Sequence, residues 1–449
     1  MKNKCYMFNL FPLLVSLCLL LVACNTTFIL PTSSAPPPTP SPPNGKVDWY
    51  SVRMFPDHSG WALTSRGVIH TEDSGSHWTV VTPPALTTQN SLASSASYFL
   101  NSQNAWITRT GATLYIRHGN KQQPELAHVF HTADGGKTWQ SSEIPDTAST
   151  YTDAMSGAGF VAGAFAPQVP YGENRGMVSI NNIISTDAQN VWVSVSSTNV
   201  HTGGGEEIYT NVYRRLWYST NGGQSWNKAW EDTDPTFPNG AAAQVYFADK
   251  TTGLMSGSQQ LDVMVTHDGQ TWQGETLPSE GLTPQDLQMT SQESPVLFNA
   301  QDGVVSLRKY ESGERYGIFL YTTHDGGQTW QKAGQLEVPQ SPAATEAYDQ
   351  TINYLDTQHW LVAADSVLYS TNDGGQHWQA LSLPREYRYT ASLSFVSGQE
   401  GWAIGNSLST STATPTSTTT PSRQVHTTSL IHTIDGGQTW EKVNYQINS

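Results

Sequence analysis

From about residue 46 onward the chain alternates apolar and polar positions in short runs, as in WYSVRMF (49–55), VSINNII (178–184) and ASLSFV (391–396). A period of two sends successive side chains to opposite faces of an extended backbone, so these runs predict β-strands. Each run is followed by a compact apolar element: GWAL (60–63), AWIT (105–108), VWVS (191–194), GLMS (253–256), GVVS (303–306), HWLV (359–362) and GWAI (401–404). A third strand then leads into a phrase written Ser/Thr-x-Asp-x-Gly-x-x-Trp, and a short piece such as TVVTPP (79–84) closes the unit.

The phrase occurs seven times, opening at Thr71, Thr132, Ser219, Thr266, Thr323, Thr371 and Thr433. Its fixed positions are Asp73, Gly75 and Trp78; Asp134, Gly136 and Trp139; Asn221, Gly223 and Trp226; Asp268 and Trp272; Asp325, Gly327 and Trp330; Asp373, Gly375 and Trp378; and Asp435, Gly437 and Trp440. The third copy has Asn in place of Asp, and the fourth is one residue short. Four short strands per unit, at a spacing of about 46 to 87 residues between tryptophans, are the signature of β-propeller blades. The expected fold is all-β: a single seven-bladed β-propeller over 46–449, with the Asp-Gly turn between the third and fourth strands of each blade. A ring of blades leaves no long sheet edge exposed.

Two segments interrupt the period. An insertion rich in Gly, Ala and Tyr occupies 146–176 in blade three, and a Ser/Thr/Pro segment occupies 406–426 in blade seven. The latter has no apolar area to bury and is expected to be disordered. Loops of this kind are where propellers place function.

The recurring phrase has a structural reading. Asp or Asn accepts hydrogen bonds from backbone N–H groups just ahead and folds an Asx turn. The glycine two residues later takes a positive φ at no Cβ cost, and the Trp folds back as an apolar plug. A calcium loop would need several carboxylates per copy, and a phosphate loop would open a helix. No metal, cofactor or catalytic set is expected. His70, His131, His267, His324 and His432 stand at equivalent strand ends in different blades, so they are read as surface strand residues rather than ligands of a shared ion.

The N-terminus carries Lys2 and Lys4, then an apolar run from Met7 to Ala23 that ends in Leu21-Val22-Ala23-Cys24. This is a signal peptide (1–23), and its end resembles the bacterial lipobox, in which the Cys is lipidated and becomes the first residue. The other cysteines, Cys5 and Cys18, precede it, so the mature chain holds no intramolecular disulfide and no thiolate site. A Pro/Ser/Thr tether (24–45) then spans on the order of 50 Å when extended. The expected location is the outer face of the cytoplasmic membrane or the cell envelope, with the lipid as the membrane contact. A net charge of −15 argues against nucleic acid as a partner.

The seven phrases resemble the Asp-box, or bacterial neuraminidase repeat. Sialidases decorate a six-bladed propeller with it, need an arginine trio and a Tyr/Glu pair, and carry a Phe/Tyr-Arg-Ile-Pro tetrad near the start of the domain; this sequence has no such tetrad, no arginine in an equivalent context, and seven units rather than six. Blade one, SGWALTSRGVIHTEDSGSHW (59–78), and blade seven, with GWAIGN and LIHTIDGGQTW, are more similar to the photosystem II stability and assembly factor family. That resemblance covers about residues 46 to 443. It implies a single seven-bladed, non-enzymatic propeller that docks a membrane or envelope protein. A sialidase-like exo-glycosidase or glycan-binding protein is the alternative. The chain departs from the family by its insertions and its few basic residues; the tight basic pairs are Arg214 with Arg215, and Arg385 with Arg388.

Overall fold

The chain divides into Met1–Pro43 and Asn44–Ser449. The computed structural model describes residues 47–448, apart from 146–173, 233–243, 340–349, 411–423 and shorter stretches at 87–91, 93–94, 110–113, 118–119, 122–126, 204–205, 258–260, 280, 288–289, 311–314, 365–366, 385 and 388. The signal peptide, Cys24 and the tether lie outside the described residues, as do most of the 146–176 insertion and the centre of the 406–426 segment.

Seven antiparallel sheets follow one another along the chain. In blade one the strands are Trp49–Met54, Gly60–Thr64, Gly67–Thr71 and His77–Val80. Blade six repeats the plan with Gln350–Tyr354, Trp360–Ala364, Val367–Thr371 and Gln379–Ser382. First strands of neighbouring blades touch, placing them at the centre of the ring. The fold is a seven-bladed β-propeller.

Buried side chains show how the ring holds together. They fall into seven clusters, one for each pair of adjacent blades. Trp61 and Leu63 pack toward blade two with Phe99 and Ile107, while the intervening Ala62 packs toward blade seven with Trp402 and Ile404. Each inner sheet is thus buried on both faces, which is why its second and third strands read as nearly continuous apolar runs. In blade one every residue of Gly60–Thr64 and Gly67–Thr71 is buried.

Closure uses two devices. The first strand of blade one hydrogen-bonds side chains of blade seven: Met54 N to Ser394 Oγ at 2.8 Å and Trp49 N to Thr428 Oγ1 at 2.7 Å. After the fourth strand of blade seven, Glu441–Lys442, the chain crosses to blade one, where Gln446–Asn448 pairs in parallel with the outer strand His77–Val80. A fifth strand from the far end of the sequence therefore covers the outer edge of blade one.

Antiparallel strand order sets two faces. Second-to-third connections and the links between blades lie on one, here the hairpin face; first-to-second turns and the Asp-boxes lie on the other, the Asp-box face. On the hairpin face several blades are lengthened. Blade three has strands Asn174–Ser185, Val191–Gly203 and Glu206–Ser219, of 12, 13 and 14 residues. A hairpin from blade two, Leu114–Arg117 and Asn120–Lys121, leaves its own sheet and pairs with Asn174–Gly176, giving a six-stranded sheet. In blade seven, pairing continues out to Thr410 opposite Gln424. The ends of the Ser/Thr/Pro segment, 406–410 and 424–426, are therefore strand rather than loop, and 174–176 of the insertion is strand as well.

One alignment of the repeat is shifted. HWLV (359–362) matches GWAL by eye, yet Trp360 pairs with Thr371 where Gly60, not Trp61, pairs with Thr71. A one-residue slip reverses the facing of a strand side chain. Trp360 consequently packs toward blade five, and Leu361 fills the position toward blade seven.

Candidate functional site

The Asp-boxes form one repeated hydrogen-bond unit. In the last copy Thr433 Oγ1 donates to Asp435 Oδ1 at 2.8 Å and accepts from Gly437 N at 2.9 Å. Asp435 Oδ1 accepts from Thr439 N at 2.8 Å, and its Oδ2 from the Thr439 hydroxyl at 2.6 Å. The same bonds hold Asp134 and Asp325. In the first and sixth copies the ring of His77 or His377 replaces the hydroxyl, each 2.6 Å from its aspartate. Asn221 keeps the pattern, accepting from Ser225 N at 3.0 Å and donating to Ser225 Oγ at 2.8 Å. In the shortened copy Asp268 bonds instead to Gln270 N and Thr271 N, each one residue earlier.

These bonds stabilise the charged carboxylates. The Thr439 hydroxyl and backbone N–H hold Asp435 down at about 2, and the His377 backbone and ring do the same for Asp373. At Asp134 burial pushes the other way, but the bonds from Thr138 outweigh it and the carboxyl stays low. Groups held ionised by bonds inside their own turn are poor proton donors, so the geometry gives the boxes a fastening role.

Two glycines, not one, serve most boxes. The position after the Asp also has a positive φ, 72° at Gly222 and 58° at Ser74, its non-glycine occupant. A Cβ on Gly222 would stand 3.1 Å from the His131 ring of the preceding blade. That neighbour corrects the reading of the histidines. His70 is buried, and His131 and His432 are half-buried and lie against Trp61, Trp106 and Trp402 with ring centroids 4.4 Å apart in each pair. Only His267 and His324 are exposed among these five. Burial pushes the His131 imidazole down to about 4.

A second recurring turn, which the repeat phrase does not contain, supports the boxes. Each first-to-second connection opens with Asp, Asn or Ser capping backbone N–H groups two or three residues on: Asp57, Asn101, Asp187, Asp249, Asn299, Asp356 and Ser397. The residue two further on is Gln in five blades, and its carbonyl accepts the N–H of the box glycine, as Gln103 does from Gly135 at 3.0 Å and Gln399 from Gly436 at 2.8 Å. The recurring Gln ahead of the second strand, as in NSQNAW and SGQEGW, was the available signal.

The box tryptophans are less uniform than a plug demands. Trp78 is 0% exposed and Trp226 and Trp330 are 9%, but Trp139, Trp272, Trp378 and Trp440 are half-buried. The second-strand residues Trp61, Trp106 and Trp402 are all fully buried.

On the hairpin face the basic pair Arg214–Arg215 is neutralised. Arg214 meets Asp232 at 3.0 Å and Arg215 meets Glu231 at 2.7 Å, all on adjoining strands of blade three. Arg385 and Arg388 lie outside the described residues. On the Asp-box face a groove of about 450 Å³ between blades six and seven is bordered by Trp378, Asn372, Gln379, Gln399 and Gln438. Among the described residues no group of three His, Cys, Asp or Glu is placed to hold a metal ion.

The fold and its repeated turns define a seven-bladed Asp-box β-propeller. The model of the Sortilin–Vps10 family (Sortilin, neurotensin receptor 3) matches residues 318–449. No curated protein matches the chain. Among solved structures, the WD40 domain of SCAP from fission yeast is 7% identical with a TM-score of 0.40, over 88% of this chain and 83% of that one. PorZ, a bacterial surface component of the type-IX secretion system of Porphyromonas gingivalis, is 11% identical with a TM-score of 0.28, over 80% of this chain and 61% of that one. Hsv2 of Kluyveromyces lactis is 10% identical with a TM-score of 0.31, over 75% of this chain and 100% of that one. At these scores the matches carry no argument about function.

Proposed function

We propose that the protein is a lipid-anchored, extracytoplasmic propeller that docks a membrane or envelope protein through its hairpin face and has no catalytic centre. The observation that supports this is the six-stranded sheet shared by blades two and three, whose strands run to 12–14 residues where blade six makes do with five. Strand length beyond what the ring needs is surface without a folding role, and recognition elements stand on such extensions. The resemblance of blades one and seven to photosystem II assembly factors supports the same class of role. Affinity capture from native membranes with the tethered protein as bait should return a defined membrane partner, and repeated empty captures would count against docking.

A second reading is favoured by the groove between blades six and seven. Its indole and amide border suits a sugar face and its hydroxyls. A fluorogenic sialoside and glycoside panel separates the two, since turnover contradicts a non-catalytic scaffold.

A further inference from the structure

First strands of five blades line a cavity of about 360 Å³ on the ring's axis. Its wall carries Arg53 from blade one, Tyr98 from blade two, Tyr246 from blade four, Val296 from blade five, and Ile352 and Tyr354 from blade six. The size falls within the range of small-molecule sites, about 300–1,000 Å³.

Arg53 is the unusual member. Three other described arginines sit against carboxylates: Arg214 on Asp232, Arg215 on Glu231 and Arg308 on Glu293. Arg53 is exposed to the cavity and makes no ion pair among the described residues; its guanidinium carbon lies 5.7 Å from the Phe55 ring centre. Tyr98 and Tyr246 line the same cavity as Arg53. Burial raises both phenols, so they remain neutral hydrogen-bond donors. Ser51 Oγ, on the same wall, is buried without a hydrogen-bond partner. In a chain of net charge −15, an unpaired guanidinium flanked by hydroxyl donors and aromatic rings is arranged to receive an anion.

We propose that the channel binds a small aromatic carboxylic acid, with its carboxylate forked on Arg53 and hydrogen-bonded by Tyr98 and Tyr246, and its ring against the tyrosine and aliphatic wall. The guanidinium fork matches a planar carboxylate. A single cation with no glycine cradle or helix terminus beside it suits a monoanion better than a phosphate ester. The site faces inward from the first strands and does not depend on docking at the hairpin face.

Calorimetric titration of the full chain with benzoate and phenylacetate, each against its primary amide, tests this directly. The acids should bind at least about tenfold more tightly than the amides, a difference of about 1.4 kcal/mol. Arg53→Gln should erase that preference, and Arg53→Lys should keep part of it. Equal binding or equal silence of acid and amide in the unmodified protein would overturn the proposal, as would an undiminished preference in Arg53→Gln. Preferential binding of inorganic phosphate, or of peptides with a free C-terminus over both acids, would overturn it as well.

Discussion

Trp106 in blade two gives its indole Nε1–H to the carbonyl oxygen of Gly222, inside the Asp-box of blade three, across 3.0 Å. Trp402 in blade seven does the same to Ser74 of the first box at 3.3 Å, where the chain meets its own beginning. The box is therefore fastened from three sides: by its own Asp or Asn, by the first turn of its blade, and in these two blades by an indole from the blade before. The expected effects on stability follow the burial of each part.

Trp106→Ala removes a fully buried indole and its inter-blade bond, and should cost about 3–5 kcal/mol. Trp440→Ala removes a half-buried indole bonded within its own turn, Nε1 to Gly437 O at 3.1 Å, and should cost about 1–3 kcal/mol. Denaturant unfolding of the two variants at unchanged m-value checks the order. Equal losses would show that the box tryptophans hold the blades as firmly as the second-strand ones and would contradict this order.

Asp435→Ala takes the acceptor from Thr439 N, the Thr439 hydroxyl and the Thr433 hydroxyl, and should lower the melting temperature. Asp435→Asn should melt close to the parent, because Asn221 already serves blade three with equivalent bonds, its amide donating where the carboxylate accepts. Thermal melts of both variants distinguish a geometric role from one that needs the charge.

Acid should weaken the interface between blades two and three before the boxes themselves. His131 has its folded value pushed down to about 4 from an ordinary 6.5 by burial against Trp106. A depressed folded value means that its contribution is complete above pH 6.5 and is lost as pH falls toward 4. The carboxylates of Asp373 and Asp435, held at about 2, lose theirs only below their ordinary 3.8. His131→Phe should lessen the fall of the melting temperature between pH 6.5 and 4, with His70, also pushed down by burial, carrying part of what remains, and should leave the fall below pH 4 in place. A fall of the parent's melting temperature confined to below pH 4 would contradict this order.

Removing residues 446–448 uncovers the edge of blade one. Hydrogen exchange at Trp78 and Thr79, which pair with Ile447 and Asn448, should accelerate while blade four, Val245–Thr276, stays protected. Uniform acceleration around the ring would mean that closure governs global unfolding instead.

Much of the ring was legible in the sequence, because seven nearly identical turns between alternating strands admit few other folds. What was missed has physical reasons. Trp360 looked equivalent to Trp61, but facing depends on register, and a one-residue offset is invisible in a motif. The histidines looked superficial because a strand end is usually exposed; only the next blade's glycine turn shows that they are packed. Arg53 sits in an ordinary alternating run, WYSVRM, and its isolation from carboxylates emerges only when five blades meet around it. Strand extension in blades three and seven is hidden in the sequence because polar Ser/Thr-rich sequence resembles linker, whereas long hairpins held by backbone bonds tolerate it.

The central claim, docking through the hairpin face without catalysis, is tested most directly by trimming blade three. Residues 198–211 lie beyond the length of an ordinary blade and can be replaced by a short Asn-Gly turn. Bait with and without this change should be used for capture from native membranes, with melting temperatures measured in parallel. The intact protein should recover one membrane partner, and the trimmed one should lose it while melting within about 2 °C of the parent. Recovery of the same partner at the same yield by the trimmed protein would contradict the claim.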